Sequence, residues 1–207
     1  MKDTILSLSG GLDSSSLLFE YKDRIALCVS FKYGSNHEKL EIAAAKKVAK
    51  KAGVPHTIID LTKTFKNFKS ALLSGKDSVP DSGYNQESIN TLVVPFRNGI
   101  FLSILAGIAD SRGLKYVALA NHANDTTTYL DCRPEFIDSL FNSIKLGTTN
   151  NVEVFAPYTN ITKTEIAKRG VNAGLNPSWT YSCYKGIKGG CGVCPTCIER
   201  QEALRNL

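Results

Sequence analysis

The segment "RIALCVSF", residues 24–31, is an almost unbroken apolar run. Such a strand has both faces out of water, an arrangement typical of a parallel sheet covered by helices. Similar short runs at 3–8, 56–61, 116–120 and 152–157 read as four more strands. Between them, 13–21, 37–52, 97–111 and 134–146 read as helices. In 37–52, Leu40, Ala44 and Val48 recur at four-residue spacing, with Asn36 as the expected cap and Gly53 as the expected stop. Phe101, Ile104, Leu105 and Ile108 give 97–111 an apolar face. Thr162 followed three residues later by Glu165 is a capping-box pattern, so a further helix opens there and ends near Gly174. The polar stretch 62–90 predicts a weak helix over Phe65–Leu73 inside a longer loop. Strands alternating with helices predict an α/β protein: a five-stranded parallel sheet with helices on both faces.

With 207 residues, 43% of them hydrophobic, the chain can bury one substantial core and carry a small appendage. No run of about 18 apolar residues is evident, so no membrane span is expected. "MKDTILSLSGG" does not read as a secretion signal, which makes a cytoplasmic location the default. A net charge of +6 suits anionic partners. The lysines are scattered, and aromatic residues do not interleave a basic patch, so stable nucleic-acid binding is not expected.

In an open parallel sheet, ligands bind beyond the carboxyl ends of the strands. Three polar loops fall there: "SGGLDS", "FKYGSN" and "NHANDTTTYLDC". In the first, Gly10 and Gly11 leave the strand, and Asp13 and Ser14 enter the helix. A capped turn would account for these residues. So would an anion site, because glycines admit close backbone approach and a helix N-terminus presents N–H groups to phosphate. Convergence of the loops on one rim favours the anion site. The loop lacks the GxxxxGK[ST] spacing of a Walker A sequence.

Cys28 and Cys132 stand alone, whereas Cys183, Cys191, Cys194 and Cys197 crowd into fifteen residues. Four thiols at this spacing match a closed tetrahedral Zn²⁺ site of structural type. Glycines at 189, 190 and 192 let the chain wrap around the ion.

"SGGLDS" resembles the SGGxDS loop of the ATP pyrophosphatases, or PP-loop enzymes, which split ATP to AMP and pyrophosphate while adenylating a substrate. Together with "VPFRNGIFLS", "YLDCRPEF", "ITKTEIAKRG" and "SCYKGIKGGCGVCPTC", it makes nearly the whole chain similar to the 7-cyano-7-deazaguanine synthase family of the queuosine-precursor pathway. The resemblance implies an adenine-nucleotide-alpha-hydrolase-like fold over residues 1–175, with a Cys₄ zinc-binding segment over 176–207. It implies an ATP-dependent ligase that turns 7-carboxy-7-deazaguanine and ammonia into the nitrile. The acid is adenylated and ammonia forms an amide; the amide oxygen is then adenylated and lost.

By the same resemblance, Ser9, Gly10, Gly11, Leu12, Asp13 and Ser14 surround the phosphates of Mg-ATP, with Lys163 beside them and Tyr33 near the adenine. Arg97, Asn98, His122, Asp125 and Asp131 face the deazaguanine, and Asp13, Lys163 and Arg97 carry the chemistry. Family members tend to be homodimers. Leu130 stands where common members have proline, in the loop implied to hold the base. That departure keeps open a related ligase of antiviral defence, whose acceptor is an amine of a partner protein. A tRNA-modifying enzyme of the same class is a more distant alternative.

Overall fold

The computed structural model describes residues 2–73, 79–80, 90–123, 129–205 and 207. Five strands, β1 (Thr4–Ser7), β2 (Ile25–Lys32), β3 (His56–Asp60), β4 (Tyr116–Ala118) and β5 (Glu153–Phe155), form one parallel sheet in the order β3-β2-β1-β4-β5. The helices are α1 (Leu12–Glu20), α2 (Glu38–Ala52), α3 (Thr62–Phe65), α4 (Arg97–Ser111), α5 (Pro134–Gly147), α6 (Lys163–Asn172) and α7 (Pro195–Leu204). The chain runs outward from β1 to β3, then crosses back to place β4 on the other side of β1. That reversal opens a crevice beyond the carboxyl ends of β1 and β4.

Alternation along the strands divides the core in two. Leu6 and Ala118 join Leu17, Val48 and Ile166 under α1, α2 and α6, whereas Ile5 and Val117 join Leu102, Leu105 and Ile137 under α4 and α5. The register shifts between Thr4↔Ile25 and Ile5↔Leu27. This shift lets Ile25 and Leu27, two residues apart, serve opposite faces. Near the rim, Phe31 and Phe101 stack with centroids 3.9 Å apart, and Tyr33 meets Phe101 at 5.6 Å. Such pairs contribute about 0.5–1.5 kcal/mol beyond burial.

Several local expectations change. Asn36 does not cap α2: its amide donates to the Ala71 carbonyl at 2.9 Å, and His37 takes the cap position. Glu38 reaches back instead, accepting from the N–H groups of Tyr33 and Gly34 at 2.7 Å each. The helix in the polar stretch is α3, earlier than Phe65–Leu73 and one turn long; the rest of the 62–90 stretch falls partly outside the described residues. Gly53 does close α2 in the left-handed conformation, and Thr162 does cap α6, accepting from Glu165 N–H at 3.3 Å. The stretch Asn90–Ser111 is long and apolar enough by composition to cross a membrane, which the interspersed Asn, Arg and Ser disguise in the sequence. Half of its most apolar window is buried within the fold, where α4 forms the core of one sheet face.

Candidate active site

The loop after β1 is shaped by one glycine more than the other. Gly10 has φ +86°, and a Cβ there would collide with the Glu41 carbonyl oxygen and lie 2.6 Å from the Ala45 nitrogen. Only glycine lets the loop lie against the α2 backbone. Gly11, with φ −71°, is in a conformation open to any residue. Its N–H donates to Ser9 Oγ at 3.1 Å, and the Ser9 and Ser14 hydroxyls are 3.0 Å apart. The sequence suggested a side-chain cap for α1; none forms, and the first turn opens onto the cleft. Uncapped N–H groups at a helix start are an anion site. Ser9, Gly11, Leu12, Asp13 and Ser14 all line it.

Charge is organised around Lys163, the first residue of α6. Its Nζ lies 3.3 Å from Asp13 Oδ2 and 3.0 Å from Glu199 Oε2, with the side chain only 14% exposed. Asp13 Oδ2 is also 3.7 Å from His122 Nε2, so His122 approaches the loop between β1 and α1. Asp13 Oδ1 is buried and accepts no hydrogen bond among the described residues. Glu199 belongs to α7, and nothing in "CIERQEAL" distinguishes it from a surface glutamate.

On the opposite wall, Arg97 opens α4 after Phe96, which holds a left-handed φ of 54°. Arg97 Nη1 lies 3.4 Å from the Tyr33 hydroxyl, and Arg97 and Asn98 both line the cleft. Asp131 supports the helix start: its Oδ2 accepts from Asn98 N–H at 2.9 Å. The Asn98 amide donates to Cys132 Sγ at 3.2 Å, fixing that thiol in the cleft wall. Asp125 lies outside the described residues. His37 and Glu41 line the same cleft, and their four-residue spacing just after the β2 rim was a signal available in the sequence. Burial pushes the Tyr33 phenol and the Glu41 carboxyl up from their ordinary values.

Tyr181, Tyr184, Thr196 and Glu199, all from the C-terminal segment, complete the wall. The segment is tied on by Tyr181 N–H to the Gly10 carbonyl at 2.9 Å. Arg200 donates to Pro177 O and Thr180 Oγ1, both at 2.6 Å, and so holds α7 to the strand of chain that enters the site. The sulfurs of Cys183, Cys191, Cys194 and Cys197 lie within 4.8 Å of one another, a group that could hold a metal ion. Cys191 and Cys197 sulfurs are 3.9 Å apart. A tetrahedral ion with bonds of about 2.3 Å requires sulfur separations of about 3.8 Å. The donor set fits.

Residues 3–207 match the family described as queuosine biosynthesis protein QueC. The chain is 46% identical over 205 residues to the 7-cyano-7-deazaguanine synthase of Porphyromonas gingivalis, covering 99% of this chain and 93% of that one. It is 41% identical to the synthase of Desulfotalea psychrophila, covering 100% and 95% respectively. It is 40% identical to that of Aquifex aeolicus, covering 98% and 96%. Among solved structures, NMN synthetase from Francisella tularensis superposes with a TM-score of 0.53 at 12% identity, over 91% of this chain and 69% of that one. That likeness concerns the fold alone, whereas the full-length sequence matches are decisive: the chain belongs to the QueC family of queuosine biosynthesis proteins.

Proposed function

We propose that this chain is an ATP-dependent ligase that converts 7-carboxy-7-deazaguanine and ammonia into 7-cyano-7-deazaguanine through adenylated intermediates. The observation that carries the reading is one cleft with an uncapped helix N-terminus on one side and Arg97, half-buried, on the other. The first suits the phosphates of ATP, and the second suits a carboxylate or the α-phosphate to which it is joined. The names of the relatives supply the nitrile product; the acid is the precursor that the family resemblance implies.

In this reading the carboxylate oxygen attacks the α-phosphorus, and pyrophosphate leaves across the α1 N-terminus. Lys163 and the N–H groups of the first turn meet the charge that develops there. Asp13 keeps Lys163 oriented, and its unpartnered Oδ1 suits a divalent cation, which as Mg²⁺ would neutralise the departing phosphates. Adenylation gives carbon a leaving group that ammonia can displace. Repeating it on the amide oxygen lets that oxygen depart and leaves the nitrile. The four thiols would hold Zn²⁺ in a closed site that supplies architecture and no open coordination position. We further read residues 1–175 as the ATP-pyrophosphatase domain and 176–207 as the metal-binding segment, in a cytoplasmic homodimer.

The test is incubation with the acid, Mg-ATP and ammonium, following the base by mass spectrometry. Acid should pass to amide and then nitrile, with two AMP per nitrile. An amide formed instead with an amine of a partner polypeptide would assign the chain to the protein-acceptor ligases. AMP without either product would mean a different acid.

A further inference from the structure

Among the described residues three acids line the cleft: Asp13, Glu41 and Glu199. Asp13 and Glu199 both hold Lys163. Glu41 faces His37 instead. His37 Nδ1 lies 3.3 Å from the Tyr184 carbonyl oxygen, which can only accept, so Nδ1 carries its hydrogen. The remaining ring nitrogen, Nε2, stands 3.4 Å from Glu41 Oε2. The two side chains thus face each other across this distance, with Nε2 directed at the carboxylate. The His37 side chain is 2% exposed and that of Glu41 18%, so Glu41 is the member that meets the cleft.

The position of the pair also matters. The Glu41 carbonyl packs on Gly10 of the phosphate loop, and Arg97 acts electrostatically on its carboxylate from the far wall. Glu41 thus lies between the two halves of the reaction proposed above. Each nitrogen step of that reaction releases a proton. When ammonia bonds to the acyl carbon, the bond to AMP breaks with its electron pair going to the phosphate, and an N–H proton is left over. When the adenylated amide becomes nitrile, the last N–H proton leaves, its electron pair enters the C–N bond, and AMP departs with the C–O pair. No redox partner is needed, but a base is.

The geometry points to Glu41 as the base for both nitrogen steps, with His37 behind it as a positioning residue. This inference rests on the reading in the preceding subsection. Burial, with help from Glu38 on the same helix, lifts the Glu41 carboxyl, against the pull of His37 and Arg97. Among the described residues, Tyr33 and Tyr181 are further titratable groups that act on it, and the Tyr184 ring packs beside His37. A lifted carboxylate is a stronger base near neutral pH.

The experiment compares two readouts across pH: pyrophosphate exchange into ATP driven by 7-carboxy-7-deazaguanine, and single-turnover formation of amide with ammonium. Exchange needs adenylation only; the amide needs the base. Glu41→Gln should slow the amide step about 100-fold, slow exchange far less, and erase the acidic limb of the amide pH profile. Glu41→Asp should restore part of the rate together with that limb. His37→Asn keeps a donor toward Tyr184 while removing the ring whose pull lowers the Glu41 carboxyl, so the limb should move to higher pH. Equal losses of exchange and amide formation in Glu41→Gln, or an unchanged pH profile, would overturn the assignment. A wild-type protein that drives no exchange with this acid would overturn the reading beneath it as well.

Discussion

The two walls of the cleft are built on different principles. The first, Ser9 to Ser14, is set by backbone: a strand end, one glycine pressed on a neighbouring helix and an uncapped helix start. The second, Tyr181 to Glu199, is a segment with no strand of its own, gathered round four thiols that could hold a metal ion and joined to the first wall by a backbone hydrogen bond. A wall made of secondary structure draws stability from the whole sheet. One made of side chains and a knot depends on the knot. The two meet at Lys163, between Asp13 and Glu199.

Substitution can set the walls against each other. The largest effect is expected for Gly10→Val, which combines a positive φ with a clash against the α2 backbone. Loss of soluble protein, or at least a 100-fold loss of AMP formation, should follow, since strain and overpacking together cost about 2–5 kcal/mol. Gly11→Ala, in an ordinary conformation, should lose less than about tenfold. Equal losses at the two positions would break the claim that backbone shape defines the first wall.

Next in size is removal of the knot. Chelation, or Cys194→Ser, should lower the melting temperature and expose the Tyr181 amide to hydrogen exchange while amides of β2 stay protected. If Tyr181 and β2 lose protection together, the second wall is not a separable unit.

Glu199→Gln addresses the seam. It removes one of the two carboxylates on Lys163 without removing volume. A loss of about tenfold in kcat/KM for ATP is expected, corresponding to about 1.4 kcal/mol at a partly buried pair. Lys163→Ala should cost more than Glu199→Gln, and the double variant no more than Lys163→Ala alone.

The smallest effect concerns stability and has the opposite sign. The Glu41 carboxyl is raised in the folded protein, so folding favours its protonated form and loses stability as pH climbs through the folded pKa. Glu41→Gln should therefore raise the melting temperature slightly above that pH, with the gain vanishing below the ordinary carboxylate range. Thermal melts against pH would check it, and a variant less stable at high pH would contradict the direction.

The first wall was largely legible in the sequence and the second was not. Apolar runs and turn residues specify the strands and the β1–α1 loop, because those depend on near neighbours. Even so, which glycine was indispensable depended on Glu41 and Ala45, about thirty residues away. Asn36 has the chemistry of a cap, yet Ala71 competes for its amide. Asp131 has the chemistry of a ligand group, but that one of its oxygens accepts from the start of α4 could not be read from the sequence. The four cysteines were readable from spacing alone. That they would carry Glu199 into the cleft was not, because a glutamate on an amphipathic helix looks the same whether it faces water or Lys163.

The hydrogen bond from Tyr181 to Gly10 also has a meaning in time. A ribosome delivers Gly10 roughly 170 residues before Tyr181. At about 5–20 residues per second, that leaves on the order of 10–30 s in which the emerging chain carries the β1–α1 loop without the C-terminal wall. Through that interval Glu199, Tyr181 and Tyr184 are not yet there to complete the cleft. The wall that depends on the cysteine segment is thus the last part of the cleft to be synthesised, long after Arg97 and Tyr33.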